Sequence, residues 1–218
     1  AEISRFYHPN TSLIEHVWGE PLDLARLEKH LASHRVSLVT MTHHETSTGM
    51  LNPVVEVGAV CKRHGARLFV DAVSSFSADP LEIERGNVTF LSTSSGKALA
   101  SYPGIALVIG RRDEFEKLPG PSGANYYLDL HRYYAFAEGR SQTPTTPAVP
   151  LVLALNRALE LVLAEGLDER IARIRASALH VRARLRERGL RLLDERAVLS
   201  NVLTCVRIPS GLTFESLR

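Results

Sequence analysis

Short apolar runs alternate with longer amphipathic stretches along this chain, the order expected when strands and helices take turns in an α/β fold. The run VSLVTMT, Val36 to Thr42, reads as a buried strand. Pro53 opens a helix that continues to about His64, and Gly65 supplies its C-terminal stop. Three further runs read as strands: Leu68 to Val70, Val88 to Leu91 and Ile105 to Ile109. Runs this uniformly apolar, separated by crossover segments, predict parallel strands covered on both faces.

Beyond Arg111 the pattern changes. Residues 111–142 are mixed and spotted with aromatics, and the breaker-rich TPTTPAVP follows from Thr143 to Pro150. Leu151 to Glu165 reads as a helix that ends at Gly166. A second helix is predicted from about Asp168 to Arg188, with Ile171, Ile174, Ala178, Val181 and Leu185 at three-and-four spacing. Arg170, Arg173, Arg175, Arg182, Arg184, Arg186 and Arg188 fall off that stripe and predict a solvated outer face, a nucleic-acid helix being the alternative. Val202 to Ile208 predicts one more strand. Two units follow: residues 1–165 as a large domain, and residues 166–218 as a connecting helix and the start of a small C-terminal α/β domain.

Composition narrows the partners. A chain of 218 residues, 44% hydrophobic, can bury one substantial core. Its 26 basic residues nearly balance 24 acidic ones, so charge gives no reason to expect nucleic acid. No apolar run is long enough to span a bilayer, and the start AEISRFYHPN does not read as a signal peptide. Cys61 and Cys205 lie far apart in apolar contexts, which excludes a disulfide framework and makes the cytoplasm the expected location.

The lysines carry more information. Only Lys29, Lys62, Lys97 and Lys117 are present, and three of them lie among other charges. Lys97 follows SerSerGly, precedes AlaLeuAla, and is the only charged residue between Arg85 and Arg111. An ammonium so isolated either snorkels to the surface or is kept for chemistry.

In open parallel sheets, ligands sit beyond the carboxyl ends of the strands. The first predicted strand is followed by HHETSTG, the second by Asp71 and AlaValSerSer, the third by SerThrSerSerGlyLys. Three strand ends therefore offer hydroxyls and histidines, a carboxylate, and hydroxyls leading to a lone lysine. Pyridoxal phosphate needs such a set: a lysine for a Schiff base, a carboxylate for its ring nitrogen, an apolar ring contact and donors for its phosphate. A strand-end Asp also caps helices, and serine clusters also make turns, so spacing leaves both readings open.

HHETSTGMLNP (His43 to Pro53), LFVDAVSSF (Leu68 to Phe76) and STSSGKALASYPG (Ser92 to Gly104) resemble the class V, fold-type I pyridoxal-phosphate aminotransferases. Within these, the resemblance is nearest to the 2-aminoethylphosphonate:pyruvate transaminases and next to the alanine/serine:glyoxylate aminotransferases. NYYLDL (Asn125 to Leu130), TTPAVP (Thr145 to Pro150) and ALELVLAEGL (Ala158 to Leu167) fit as well.

The resemblance implies a mostly parallel sheet flanked by helices, with Lys97 as the Schiff-base lysine and Asp71 as partner of the ring nitrogen. It implies that Val73 packs on the ring, Thr46 bonds near the ring hydroxyl and Ser94, ahead of Thr93, contacts the phosphate. Thr146 would reach the phosphate of a neighbouring subunit's site, which implies a homodimer. The activity implied is ping-pong transfer of an amino group from a small amino donor to a keto acid, pyruvate foremost, with no metal. Gly96 departs from the family, which usually has a phosphate-contacting polar residue before the lysine; Ser95 or a backbone N–H would replace it. The family's glycine-rich phosphate turn and its substrate-gripping arginine have no counterpart here, so truncation at both ends is expected.

Three rivals share some of these features. Cysteine desulfurases need a mobile-loop cysteine, whereas Cys61 lies in a predicted helix and Cys205 in a predicted strand. A zinc site could use His30, His34, His43 and His44, but no cysteine pair or carboxylate completes a ligand set. A member of the family that keeps the fold without catalysis is the third.

Overall fold

A computed structural model describes residues 2–120, 125–193 and 197–217. Helices α1 (Glu2–Tyr7) and α2 (Leu24–Ser33) precede strand β1 (Leu38–Thr42). A small hairpin, β2 (His44–Glu45) and β3 (Met50–Leu51), leads into α3 (Val54–Arg63), β4 (Arg67–Asp71), β5 (Phe90–Ser94) and β6 (Ala106–Gly110). The rest is helical: α4 (Arg112–Glu116), α5 (Leu130–Arg140), α6 (Val149–Glu165), α7 (Leu167–Glu187) and the short α8 (Phe214–Leu217).

The main sheet has the order β1-β4-β5-β6. β1, β4 and β5 run parallel, as their apolar runs predict, with Thr42 beside Asp71 and Asp71 beside Ser92. β6 departs from the predicted parallel set and pairs antiparallel, Ser94 facing Ala106. The reason is the connection. Ser95 donates its N–H to the Ile105 carbonyl (3.0 Å) and its hydroxyl to the Tyr102 carbonyl (2.6 Å), turning the chain back within a loop too short for a crossover.

Because side chains alternate along a strand, each strand divides between two faces. One face packs under α2 and α3. Leu68, Val70 and Leu91 are fully enclosed there with Val57, Val60 and Cys61 of α3 and Leu27 and Leu31 of α2. Asp23 holds the start of α2 by accepting from the N–H groups of Ala25 (2.9 Å) and Arg26 (3.3 Å). Gly58 lets α3 close down on the loop before β5: a Cβ there would lie 1.7 Å from the Gly86 carbonyl oxygen.

The other face is covered only in part. Phe90 packs edge-on against Phe115 of α4, with ring centroids 4.9 Å apart, and Phe115 stacks on Tyr134 of α5. Past Phe90, the side chains of Thr42, Asp71, Ser92 and Ser94 are half-buried.

Two predictions need correction. Val202 to Ile208 forms no strand; the described residues there make only an isolated bridge, Leu192 with Val206. A strand needs a neighbouring ladder, and the described residues offer none. On α7 the inward row is Ile171, Ile174, Ala178, Arg182 and Leu185, while Val181 faces out. Arg182 is therefore buried rather than part of the solvated arginine face. Its guanidinium is spent on the Thr204 hydroxyl (3.0 Å) and on the carbonyls of Ser200 and Leu203.

Candidate functional site

The carboxyl ends of β1, β4 and β5 bring most of the sequence-predicted residues to one edge of the sheet. Asp71 is the last residue of β4, between Thr42 of β1 and Ser92 of β5. Adjacent strands lie about 4.8 Å apart, so Asp71 and Ser92 are direct neighbours on one face. Ser94 lies two residues further along the same face, and Lys97 follows three residues beyond the end of β5.

Asp71 does cap locally: its Oδ1 accepts the N–H of Val73 at 3.0 Å, while its backbone carbonyl accepts the N–H of His43 at 2.8 Å. The capping and the functional readings are compatible, because one carboxylate oxygen serves the turn and the other is left for a second partner. Val73 is half-buried directly after this turn. Thr46 is exposed in the turn between β2 and β3, where Gly49, with φ of +75°, donates to the Glu45 carbonyl at 2.8 Å.

Lys97 is exposed, and among the described residues its ammonium makes no hydrogen bond or ion pair. Ser94, three residues before it, is half-buried, whereas Thr93 points into the packed face with its hydroxyl unpartnered among the described residues. That alternation separates two residues which the sequence could only rank. Ser95 is fully buried, and its hydroxyl also accepts the Ile105 N–H (3.2 Å), so the loop turn consumes it. It is therefore no replacement for the polar residue missing at Gly96.

Thr146 lies on none of these strands. It is exposed on the α5–α6 connection, beside Gln142, Thr143 and Pro147 around an open concavity of about 880 Å³ that includes neither Lys97 nor Asp71.

Sequence reasoning missed a buried polar cluster behind the hairpin. Asp79 accepts from the Ser200 hydroxyl (2.8 Å) and the Asn201 N–H (2.7 Å), and the same hydroxyl meets His44 Nδ1 at 3.2 Å. Next to it, His43 Nδ1 pairs with the Ser75 hydroxyl at 2.9 Å. Burial pushes the His43 imidazole down to about 4, more strongly than the nearby Asp79 carboxylate raises it. Separations of more than 120 residues along the chain hid the Asp79–Ser200 pair from any local pattern. The thiols are poor nucleophiles by comparison: burial pushes Cys61 up to about 11 and raises Cys205 as well.

A carboxylate and hydroxyls at adjacent ends of parallel strands, with an exposed lysine three residues past the last of them, are the elements that a lysine-bound cofactor requires. Comparison with known proteins narrows this reading. The description "Aminotransferase class-V" matches residues 3–209, and the chain belongs to that family. An uncharacterized aminotransferase of Methanocaldococcus jannaschii is 33% identical over 220 residues, covering 100% of this chain and 57% of the relative. A 2-aminoethylphosphonate–pyruvate transaminase of Paraburkholderia xenovorans is 43% identical over 148 residues, covering 67% and 40% respectively. Among solved structures, an alanine–glyoxylate aminotransferase from Nostoc sp. superimposes with a TM-score of 0.91 at 28% identity, covering 99% of this chain and 58% of its own. The matched parts thus span between 40% and 58% of these relatives' own lengths. No helix among the described residues is long and apolar enough to cross a membrane.

Pyridoxal phosphate is the cofactor implied by this family, and the donor set fits it. An unpaired ammonium, a carboxylate with a free oxygen and the uncommitted hydroxyl of Ser94 stand at one sheet edge.

Proposed function

We propose that the protein is a pyridoxal-phosphate-dependent transaminase that moves an amino group from 2-aminoethylphosphonate to pyruvate, as a cytoplasmic homodimer. The observation that carries this reading is the row Asp71, Ser92, Ser94 leading to the unpaired Lys97. The choice of donor is supported by the 43% identity to the transaminase of Paraburkholderia xenovorans.

In this reading Lys97 would hold the cofactor through Nζ, and its free amine would carry a proton to and from the substrate carbon. When bound, the cofactor supplies an electron sink for that carbon. Asp71 keeps a proton on the ring nitrogen, which matters most as negative charge develops in the transition state. Val73 packs on one face of the ring, Thr46 donates near the ring hydroxyl and Ser94 donates to the phosphate. Thr146, on the α5–α6 connection, serves the phosphate of a neighbouring copy. The bound cofactor would keep the donor's amino group for the keto acid, and Lys97 would then move the same protons in the opposite direction.

A second reading, an alanine- or serine-dependent aminotransferase with glyoxylate as acceptor, is favoured by the TM-score of 0.91 over 99% of the chain. Assaying 2-aminoethylphosphonate, alanine and serine against pyruvate and glyoxylate separates the two. The first reading expects kcat/KM for 2-aminoethylphosphonate with pyruvate to exceed every other pair by at least about 10²-fold, the selectivity of a site built around one polar group. A preference for glyoxylate overturns it. Lys97→Ala should abolish turnover with every pair, and a Lys97→Ala protein with normal turnover overturns both readings.

A further inference from the structure

Lys97 has no side-chain partner among the described residues, so its position depends on the backbone that carries it. That backbone is held at few points. Leu99 is buried as an apolar anchor, and Ala100, in the left-handed region at φ of +57°, donates its N–H to the Lys97 carbonyl at 2.9 Å. Between them the Ala98 carbonyl, one residue past Lys97, accepts two side-chain hydrogen bonds. The Ser77 hydroxyl reaches it at 3.2 Å from the turns that follow Asp71, and Nη2 of Arg170 reaches it at 2.7 Å from the first turns of α7.

Arg170 is set up for this contact. Its side chain is only 13% exposed, and Nη1 bonds to Glu165 at 3.1 Å. Its Nε is buried with no partner among the described residues, a cost that a solvent-facing rotamer would avoid. A cationic N–H on a carbonyl is a stronger and shorter bond than a neutral one, and the rigid guanidinium fixes direction as well as distance. Glu165 is held in turn by Arg173 at 2.6 Å, so the donor is braced from behind.

We propose that Arg170 is a positioning residue for Lys97: by clamping the Ala98 carbonyl it holds the lysine loop where the amine can meet the cofactor. The inference rests on Lys97 being the cofactor-bearing lysine. It also makes α7 a mechanical part of the site, although α7 contributes no residue to the row at the strand ends.

The test separates cofactor binding from lysine capture in the intact protein. Attachment of pyridoxal phosphate joins the Nζ amine to the cofactor aldehyde with loss of water, and the absorbance of the product times it. Pyridoxamine phosphate has no aldehyde and cannot attach, so its affinity reports the rest of the site. A small displacement of a reacting group costs up to about 10²-fold, and Arg170→Met should slow attachment at least about tenfold while pyridoxamine phosphate affinity stays within about twofold. Arg170→Lys, which keeps a cationic donor in the same packing, should fall between the two and serves equally if Arg170→Met folds poorly. Attachment at the wild-type rate in both variants, or an equal loss of pyridoxamine phosphate affinity, overturns the proposal. Lys97→Ala is the separate control: if it still attaches the cofactor, Lys97 is not the bearing lysine, and the underlying reading fails whatever the Arg170 variants do.

Discussion

The two faces of the main sheet are built from the same strands and differ in how far they are covered. Leu68, Val70 and Leu91 are sealed against α2 and α3, whereas Asp71, Ser92 and Ser94, neighbours of these residues in sequence, remain half-open at the strand ends. A step of one residue moves a side chain from the packed face to the half-open one, because the strand period is two. Thr93 shows the same boundary from the packed side, where its hydroxyl is enclosed without a partner. Stability should therefore reside in one face and turnover in the other.

The largest effect expected is on the open face. On the proposed role of Asp71, Asp71→Asn removes the charge that would hold the ring proton, and the proposed transamination should fall about 10²–10³-fold in kcat, the range of a lost transition-state contact. Unfolding free energy should move by no more than about 0.5 kcal/mol, since the amide oxygen still accepts the Val73 N–H. A parallel loss of stability in chemical denaturation would break the division between the faces.

Leu91→Ala tests the packed face. Its side chain is fully enclosed, so the variant should lose about 3 kcal/mol, a drop in Tm of about 6–12 °C for a chain of this length. Below the melting range, kcat should stay within about threefold of wild type if the faces act separately.

The last effect, confined to acid pH, concerns His43, at the border between the two. Its imidazole titrates at about 4 in the folded protein and at about 6.5 when unfolded, so the unfolded state binds the extra proton between those values. Its contribution to stability is complete above about pH 6.5 and is lost as pH falls towards 4, by up to about 3 kcal/mol. His43→Gln should flatten that part of the pH–stability curve, measured by urea unfolding at pH 4.5 and pH 7. An unchanged acid slope would show that the imidazole is more hydrated than its burial implies.

Much of this architecture was legible in the chain. The runs that became β1, β4, β5 and β6, the helix α3 between Pro53 and Gly65, and the long helices α6 and α7 all follow from local apolar period and from breakers. The isolation of Lys97 and the place of Asp71 at the tip of an apolar run were equally local. Each depends only on what neighbours a residue in sequence.

What tertiary structure decided are the long-range pairings. The reversal of β6 depends on how Ser95 closes its loop, and the burial of Arg182 on carbonyls supplied by Ser200 and Leu203. The fate of Val202 to Ile208 depends on whether a ladder lies alongside, and the Arg170 clamp spans 72 residues of chain. Local pattern reports the preference of a segment for strand or helix and for burial; which donor meets which acceptor is set only when distant segments pack, because a buried polar group must find its partner wherever the fold provides one.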